Sequence, residues 1–271
     1  VSSSYAQGSP DGEAPEHTGP VEEIVIQGHH LSLDKIDSVK TPTPIIDVPQ
    51  SLSIVSSKQI EQQAFRSLGD ILRYTPGLSI SQGEGHRDAV IIRGIQTTAD
   101  FFVDGVRDDV QYFRPLYNVE QVEVLRGSNA LLFGRGGGGG VINRVTKRAR
   151  LDEQFTVVDG GVDTFGAYSF AADTNYAINN NVAFRLNAYY QDLDNHRNFY
   201  DGESFAFNPT FTVNFSENTT GVFSYEYVDD DRVVDRGVPS QNVDGGPDVP
   251  LKGFRDTFFG SPNANFTTLE A

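Results

Sequence analysis

Val119-Glu120-Gln121-Val122-Glu123-Val124-Leu125-Arg126-Gly127 and, further on, Gly140-Val141-Ile142-Asn143-Arg144-Val145-Thr146-Lys147 are the two stretches on which the fold reading turns. Each is rich in β-branched residues and bounded by glycine, so short strands are expected at 122–125 and 141–146. A brief helix is expected between them at 128–133, followed by the glycine run from Gly134 to Gly140. Working towards the N-terminus, short strands are expected at 101–106, 89–95 and 45–55, the last interrupted by Pro49. Helices are expected at 56–65, starting on a serine cap, and at 67–74, ended by Thr75-Pro76-Gly77. The pattern from Pro44 to Arg148 is that of a compact α+β domain.

Working the other way, the period becomes two from about Asp152 and stays there. Tyr168, Phe170, Ala172, Thr174 and Tyr176 alternate with Ser169, Ala171, Asp173 and Asn175. The same alternation runs through Val182 to Gln191, Phe205 to Phe215 and Phe223 to Tyr227. Asn179-Asn180-Asn181 and Ser216-Glu217-Asn218 read as tight turns, whereas 195–202 and 229–254 are long and polar. Long strands with alternately tight and long connections, one face apolar and one polar, fit a transmembrane β-barrel. They also fit a soluble β-sandwich with one solvated face. Periodicity alone leaves both open.

Composition narrows the function classes. The chain has 271 residues, no cysteine and a net charge of -16. Residues 1–149 carry 14 basic and 18 acidic groups, and residues 150–271 carry 7 and 19. A chain this acidic is a poor partner for nucleic acid, whose phosphates must be neutralised by Lys and Arg. The lack of thiols excludes disulfides and thiolate metal sites. Apolar runs end at about four residues, far short of the roughly 18 to 20 that a membrane helix needs. Residues 1–20 read as a disordered leader, with a possible signal-peptide remnant at 1–6. Within the arm 21–43, Glu22-Glu23-Ile24-Val25-Ile26-Gln27 is an apolar, β-prone island suited to adding a strand to a partner.

Residues 44–148 resemble the plug domain of TonB-dependent outer-membrane receptors. Asp47-Val48-Pro49-Gln50-Ser51-Leu52-Ser53-Ile54-Val55 resembles the opening strand of that family, and Leu68-Gly69-Asp70-Ile71-Leu72 with Thr75-Pro76-Gly77-Leu78 its helix and turn. Ile92-Arg93-Gly94 and Phe102-Val103-Asp104-Gly105-Val106 resemble its central strands. The two opening stretches and Leu132-Phe133-Gly134 resemble its closing segment, and Arg236-Gly237-Val238-Pro239-Ser240 resembles a loop of siderophore-receptor barrels. The resemblance implies an α+β plug at 44–148 followed, over 149–271, by antiparallel strands of an incomplete transmembrane β-barrel in the outer membrane of a Gram-negative bacterium. It also implies a receptor that is not an enzyme, that imports a ferric siderophore, of catecholate type by its glycine run, and that is energised by TonB. Glu23, Ile24, Val25, Ile26 and Gln27 are then the TonB box. The same architecture carrying cobalamin or a glycan, and a soluble plug-like binding protein, stand as alternatives.

Four or five strands and part of another cannot close a barrel of about 22. The expectation is a truncated wall that by itself neither inserts into lipid nor transports.

Ferric siderophores are often anionic and aromatic, so guanidinium and aromatic side chains on plug loops are the candidate ligand contacts. Arg87, Tyr112, Phe113 and Arg114 meet that description. Arg93 and Arg126, inside strand-like motifs, are expected in structural ion pairs, with Asp104, Gly105 and Gly134 as further structural positions of the plug. Gly134 to Gly140 is no phosphate loop, because Val141-Ile142 stands where a Lys and a Ser or Thr are needed. The pair His29-His30 lacks a third ligand nearby, and no resident metal or cofactor is expected.

Overall fold

The structure, a computed structural model, describes residues 51–81, 83–127, 139–242 and 245–258, with the backbone alone of 35–36, 43–44 and 266–270. The leader, the expected TonB box, the histidine pair, Gly134 and the helix expected at 128–133 lie outside the described residues. Two short strands, β1 (Lys35–Ile36) and β2 (Thr43–Pro44), pair antiparallel ahead of the first full element.

Local chemistry sets the two helices. Helix α1 (Ser57–Gln62) begins where the Ser56 hydroxyl accepts the Gln59 amide at 3.3 Å. Helix α2 (Leu68–Arg73) carries a full capping box between Ser67 and Asp70. Leu68, Ile71 and Leu72 share one face of α2 and pack with Val90, Ile92, Phe101, Val119, Val122, Val124 and Ile142 in the main apolar core.

That core lies against a five-stranded sheet of order β3-β9-β10-β7-β8, made of β3 (Ser51–Ser56), β7 (Phe101–Val103), β8 (Val106–Arg107), β9 (Val119–Arg126) and β10 (Gly140–Thr146). All its pairings are antiparallel except β10 with β7, which is parallel. Every residue of β10 is buried, which explains why its sequence does not alternate. A smaller sheet joins β4 (Leu78–Ser81), β5 (Ala89–Ile92) and β6 (Ile95–Thr97).

The strands expected at 89–95 and 101–106 are each two strands. Arg93 and Gly94 have φ of 50° and 86°, and Asp104 and Gly105 have 47° and 77°. Both central residues of each turn are therefore left-handed, the type I′ geometry whose twist suits a two-residue hairpin. Ile92 faces Ile95, and Val103 faces Val106, across these turns. The motif residues fold the chain back instead of extending it.

The second half forms one antiparallel sheet, here called the wall. It contains β11 (Phe155–Val162), β12 (Tyr168–Asn179), β13 (Val182–Leu193), β14 (Gly202–Ser216), β15 (Thr219–Ser224), β16 (Tyr227–Val233) and β19 (Phe266–Glu270). Strands β15 and β16 pair with successive parts of β14, with a register shift between Asn214 and Ser216, while β17 (Ser240–Asn242) and β18 (Asp248–Pro250) make a separate hairpin. The sheet is open, with β11 at one edge and β19 at the other.

Burial along the wall is the reverse of a soluble sheet. In β14, Ser204, Ala206, Asn208, Thr210 and Thr212 are buried, while Phe205, Phe211 and Phe215 are exposed. The inner face also buries Arg185, Asn187, Asp230 and Arg232. The outer face carries cross-strand aromatic rows: Phe170, Tyr190 and Phe205 towards one end, and Tyr176, Phe184, Phe211 and Phe223 towards the other. A water-soluble sandwich would lose about 25 cal/mol for each Å² of apolar surface left outside. Facing hydrocarbon, the same surface carries no such penalty, and two aromatic rows flanking a smoother band are what an outer-membrane wall requires. No described helix is long and apolar enough to cross a membrane.

Candidate functional site

The plug meets the wall's polar face along a line of charged contacts, and the two loops that hold the candidate ligand residues lie at one end of that line. The first follows β4. Glu84 has φ 64° and Gly85 has φ 84°, which turn the chain tightly before Arg87. An added Cβ on Gly85 would overlap the backbone carbonyl of Asp235, so only glycine lets this loop seat on the connection after β16. Glu84 lies 3.4 Å from Arg87 and 4.0 Å from Arg236 of the wall. Arg87 also donates to the Gln111 side-chain oxygen. Its Nε is buried without a hydrogen-bond partner among the described residues.

The second loop, 108–118, goes inward instead of upward. Arg114 is 2 % exposed. Its Nε donates to Asp108 at 2.7 Å and its Nη2 to the Val110 carbonyl at 2.7 Å, and its plane stacks over Phe101 with 4.1 Å to the ring centre. The Arg114 backbone amide donates to Asp88 at 2.8 Å. Arg144, from β10, donates to the Tyr112 hydroxyl at 2.8 Å and to Asp108 at 3.1 Å. Burial raises the Asp88 carboxyl above its ordinary value against the opposing pull of Arg114. Burial likewise raises the Tyr112 phenol, which stays protonated at neutral pH.

Tyr112 and Phe113 belong to the plug–wall contact. Tyr112 packs with Ala206 and Val228 of the wall, and Arg232 lies over the Phe113 ring at 4.7 Å. The contact continues along the wall. Tyr117 and Asn118 both donate to Glu226, the latter at 2.9 Å. Lys147 and Arg185 pair with Asp173 at 2.9 and 2.7 Å, and Arg150 pairs with Glu120 at 3.1 Å.

Of the four residues singled out as ligand contacts, the structure therefore leaves Arg87 half-buried in its loop, beside the exposed Gln111. It draws Arg114 and Tyr112 into the interior and half-buries Phe113 against the wall. The arginines expected in ion pairs are also placed differently. Arg126 donates to Ser51 at 3.0 Å and to Ser53, and neither Arg93 nor Arg126 meets a carboxylate among the described residues. The reason is register: β3 sets serines, not acids, beside Arg126. Burial and the nearby Arg93 charge pull the Arg126 guanidinium below its ordinary value. Asp104 is a structural anchor, holding the Thr146 amide at 3.0 Å and hydroxyl at 2.6 Å, while Gly105 donates its amide to Asn143 at 2.9 Å. Sequence reasoning did not single out the buried Asp88 and Arg144 or the half-buried Asp108. The described residues hold no group of three or more metal-ligating side chains.

Residues 44–141 match the family described as TonB-dependent Receptor Plug Domain. The chain is 34% identical over 183 residues to the probable TonB-dependent receptor BfrD of Bordetella pertussis, covering 66% of this chain and 24% of that protein. It is 28% identical over 257 residues to the probable TonB-dependent siderophore receptor PiuA of Acinetobacter baumannii, covering 90% of this chain and 34% of PiuA. The crystal structure of PiuA superposes with a TM-score of 0.76 at 27% identity, over 89% of this chain and 35% of that one. The closed form of the ferric-catecholate import receptor Fiu from Escherichia coli K12 superposes at 0.69 and 25% identity, over 77% and 30%. The chain thus spans about a quarter to a third of the length of these relatives. Plug motifs, an outward apolar wall and these relatives agree: residues 44–141 are a plug of the TonB-dependent receptor kind, and the chain is similar to siderophore receptors of that kind over the plug and the first wall strands.

Proposed function

We propose that these residues are the plug and first wall strands of an outer-membrane receptor that binds a ferric siderophore and imports it with energy supplied through TonB. The observation that carries this reading is the inverted wall: a sheet with apolar residues outside encloses, on its polar face, a separately folded plug. A plug held by ion pairs and hydrogen bonds instead of a continuous apolar core can shift when pulled, which a solute larger than water needs. The relatives named as siderophore receptors point to iron chelates over cobalamin or glycans.

Within this reading the leader is 1–20, the arm 21–43, the plug 44–148 and the wall starts at 149. Arg87, half-buried beside the exposed Gln111, is the proposed ligand contact. Tyr112, Phe113 and Arg114 hold the loop beneath it. Glu23 to Gln27 is the proposed TonB box, in which a partner strand gains main-chain hydrogen bonds.

The receptor carrying these residues should restore uptake of iron-55 siderophore to cells stripped of their own siderophore receptors. Val25→Pro removes a backbone donor in the middle of the box and should abolish that uptake while surface binding of the chelate persists. Uptake unchanged by Val25→Pro would remove the box assignment. Failure of catecholate and hydroxamate chelates alike to bind would remove the siderophore reading.

A further inference from the structure

A cavity lies at the end of the wall from which the longer connections arise. It measures about 550 Å³ and is lined by wall residues, from the turn after β11, the end of β13 at Asp192 and Leu193, the connection 194–201, and Arg255. On the reading above, short turns are periplasmic and long connections external, which puts this cavity on the outside of the cell.

Its rim is aromatic. The His196 ring stands between those of Phe165 and Phe254, at 6.3 and 5.8 Å between centres. Phe199 has φ 69°, a left-handed conformation that a bulky L-residue adopts only under constraint, yet its ring is 59 % exposed. More than half of the residue's surface stays in solvent despite that constraint, and strain of this kind concentrates at ligand-holding positions.

The floor is fixed. Arg197, buried at 4 % exposure, donates to the carbonyls of Phe254 and of Thr257, the latter at 2.7 Å. It pairs with Asp235 at 3.0 Å and stacks on Phe258, so the two connections are tied together beneath the cavity.

The polar lining says what class of ligand fits. Asp192, Asp194 and Asp201 outnumber Arg255, since the Arg197 charge is already matched by Asp235. Phosphates and anionic iron chelates are repelled. The carboxylates of Asp192 and Asp201 have no hydrogen-bond partner among the described residues, and these acids do not converge as a metal group. Aromatic faces beside unmatched acceptors suit a neutral ring with an apolar C–H face and hydroxyl donors at its edge. We propose that this cavity binds a saccharide, stacked on Phe165 or Phe199 and hydrogen-bonded to Asp192 and Asp201. Asp192 follows Tyr190 by two positions on the outward face of β13, so the cavity opens just beyond the aromatic row, at the level of membrane headgroups. The sugar can come from an outer-leaflet glycolipid or from a soluble polysaccharide.

The test uses the receptor purified in detergent, with surface plasmon resonance against an intact neutral glycolipid and against the neutral oligosaccharide released from it. Phe199→Gly removes the ring and relieves the backbone, so it tests the site without threatening the fold. We expect it to weaken saccharide binding about tenfold. Asp201→Asn should weaken it as well, and both variants should bind ferric siderophore normally, which keeps this test separate from that of transport. Binding of the released oligosaccharide that is lost in Phe199→Gly supports a sugar site open to soluble glycans. Binding of the intact glycolipid alone, again lost in Phe199→Gly, supports the same site and identifies the membrane as its source. Binding of neither probe, or binding that Phe199→Gly leaves unchanged, overturns the proposal.

Discussion

Arg87 and Arg114 look alike in sequence, each a basic residue in a loop after a strand, and they differ entirely in what surrounds them. Arg114 reaches Asp88, 26 positions before it, and shares Asp108 with Arg144, which lies 36 positions beyond that aspartate, so no local window could have revealed its burial. Removing one partner from a buried charge network leaves the others without compensation. Arg114→Met should therefore destabilise the plug by about 3 kcal/mol, read as lost hydrogen-exchange protection in β9 and β10. Arg87 has exposed partners, Glu84 and Gln111, and Arg87→Met should change stability by no more than about 0.5 kcal/mol. Its effect should appear instead as weaker binding of the ferric chelate in a titration of the purified receptor. Equal stability losses in the two variants would show that the division between a loop-holding and a ligand-facing arginine is wrong.

At the scale of elements, what was legible followed from local rules. Ser56 and Ser67 capped helices because their hydroxyls reach amides three residues on, and the alternation from Tyr168 onward became long strands because a period of two has one structural meaning. The hairpins at Arg93-Gly94 and Asp104-Gly105 were hidden inside what read as continuous strands. Each motif carries its glycine, but a single glycine in a β-rich run signals a bulge as readily as a turn. The parallel pairing of β10 with β7 and the buried network were illegible, since both depend on contacts distant in sequence. Two glycines separate turn strain from packing strain. Gly105 has φ 77° with open space around its Cβ position, so Gly105→Ala should cost about 1 kcal/mol, the price of a left-handed alanine. Gly140 has φ 150°, and an added Cβ would overlap the Leu125 carbonyl in the neighbouring strand. Gly140→Ala should push β10 from β9 and cost about 3 kcal/mol or more. Chemical denaturation of the two variants checks the order, and a Gly105→Ala loss equal to that of Gly140→Ala would contradict it.

For the molecule as a whole, the decisive property is which way the wall's apolar face points, and alternation alone could not say. Period two fits a sandwich and a barrel equally well. The direction became visible only when β14 was seen burying asparagine and threonine against the plug while leaving phenylalanine outside. That direction has a mechanical consequence that depends on depth. Leu186 lies opposite Thr174 and Pro209, between the two aromatic rows, whereas Asp192 lies beyond the upper row, opposite Tyr168 and Glu203. If the outer face meets hydrocarbon, a cation at Leu186 sits near the bilayer centre and Leu186→Arg should cost about 2 to 4 kcal/mol. The same change at position 192 replaces one interfacial charge by another, and Asp192→Arg should cost about 0 to 1 kcal/mol. Unfolding of the receptor in phospholipid vesicles measures both. A water-facing sheet predicts the opposite pattern, with Leu186→Arg harmless because an arginine at an outward position would simply be solvated. The difference between the two variants thus reports the solvent of the outer face directly, independently of any ligand or of TonB.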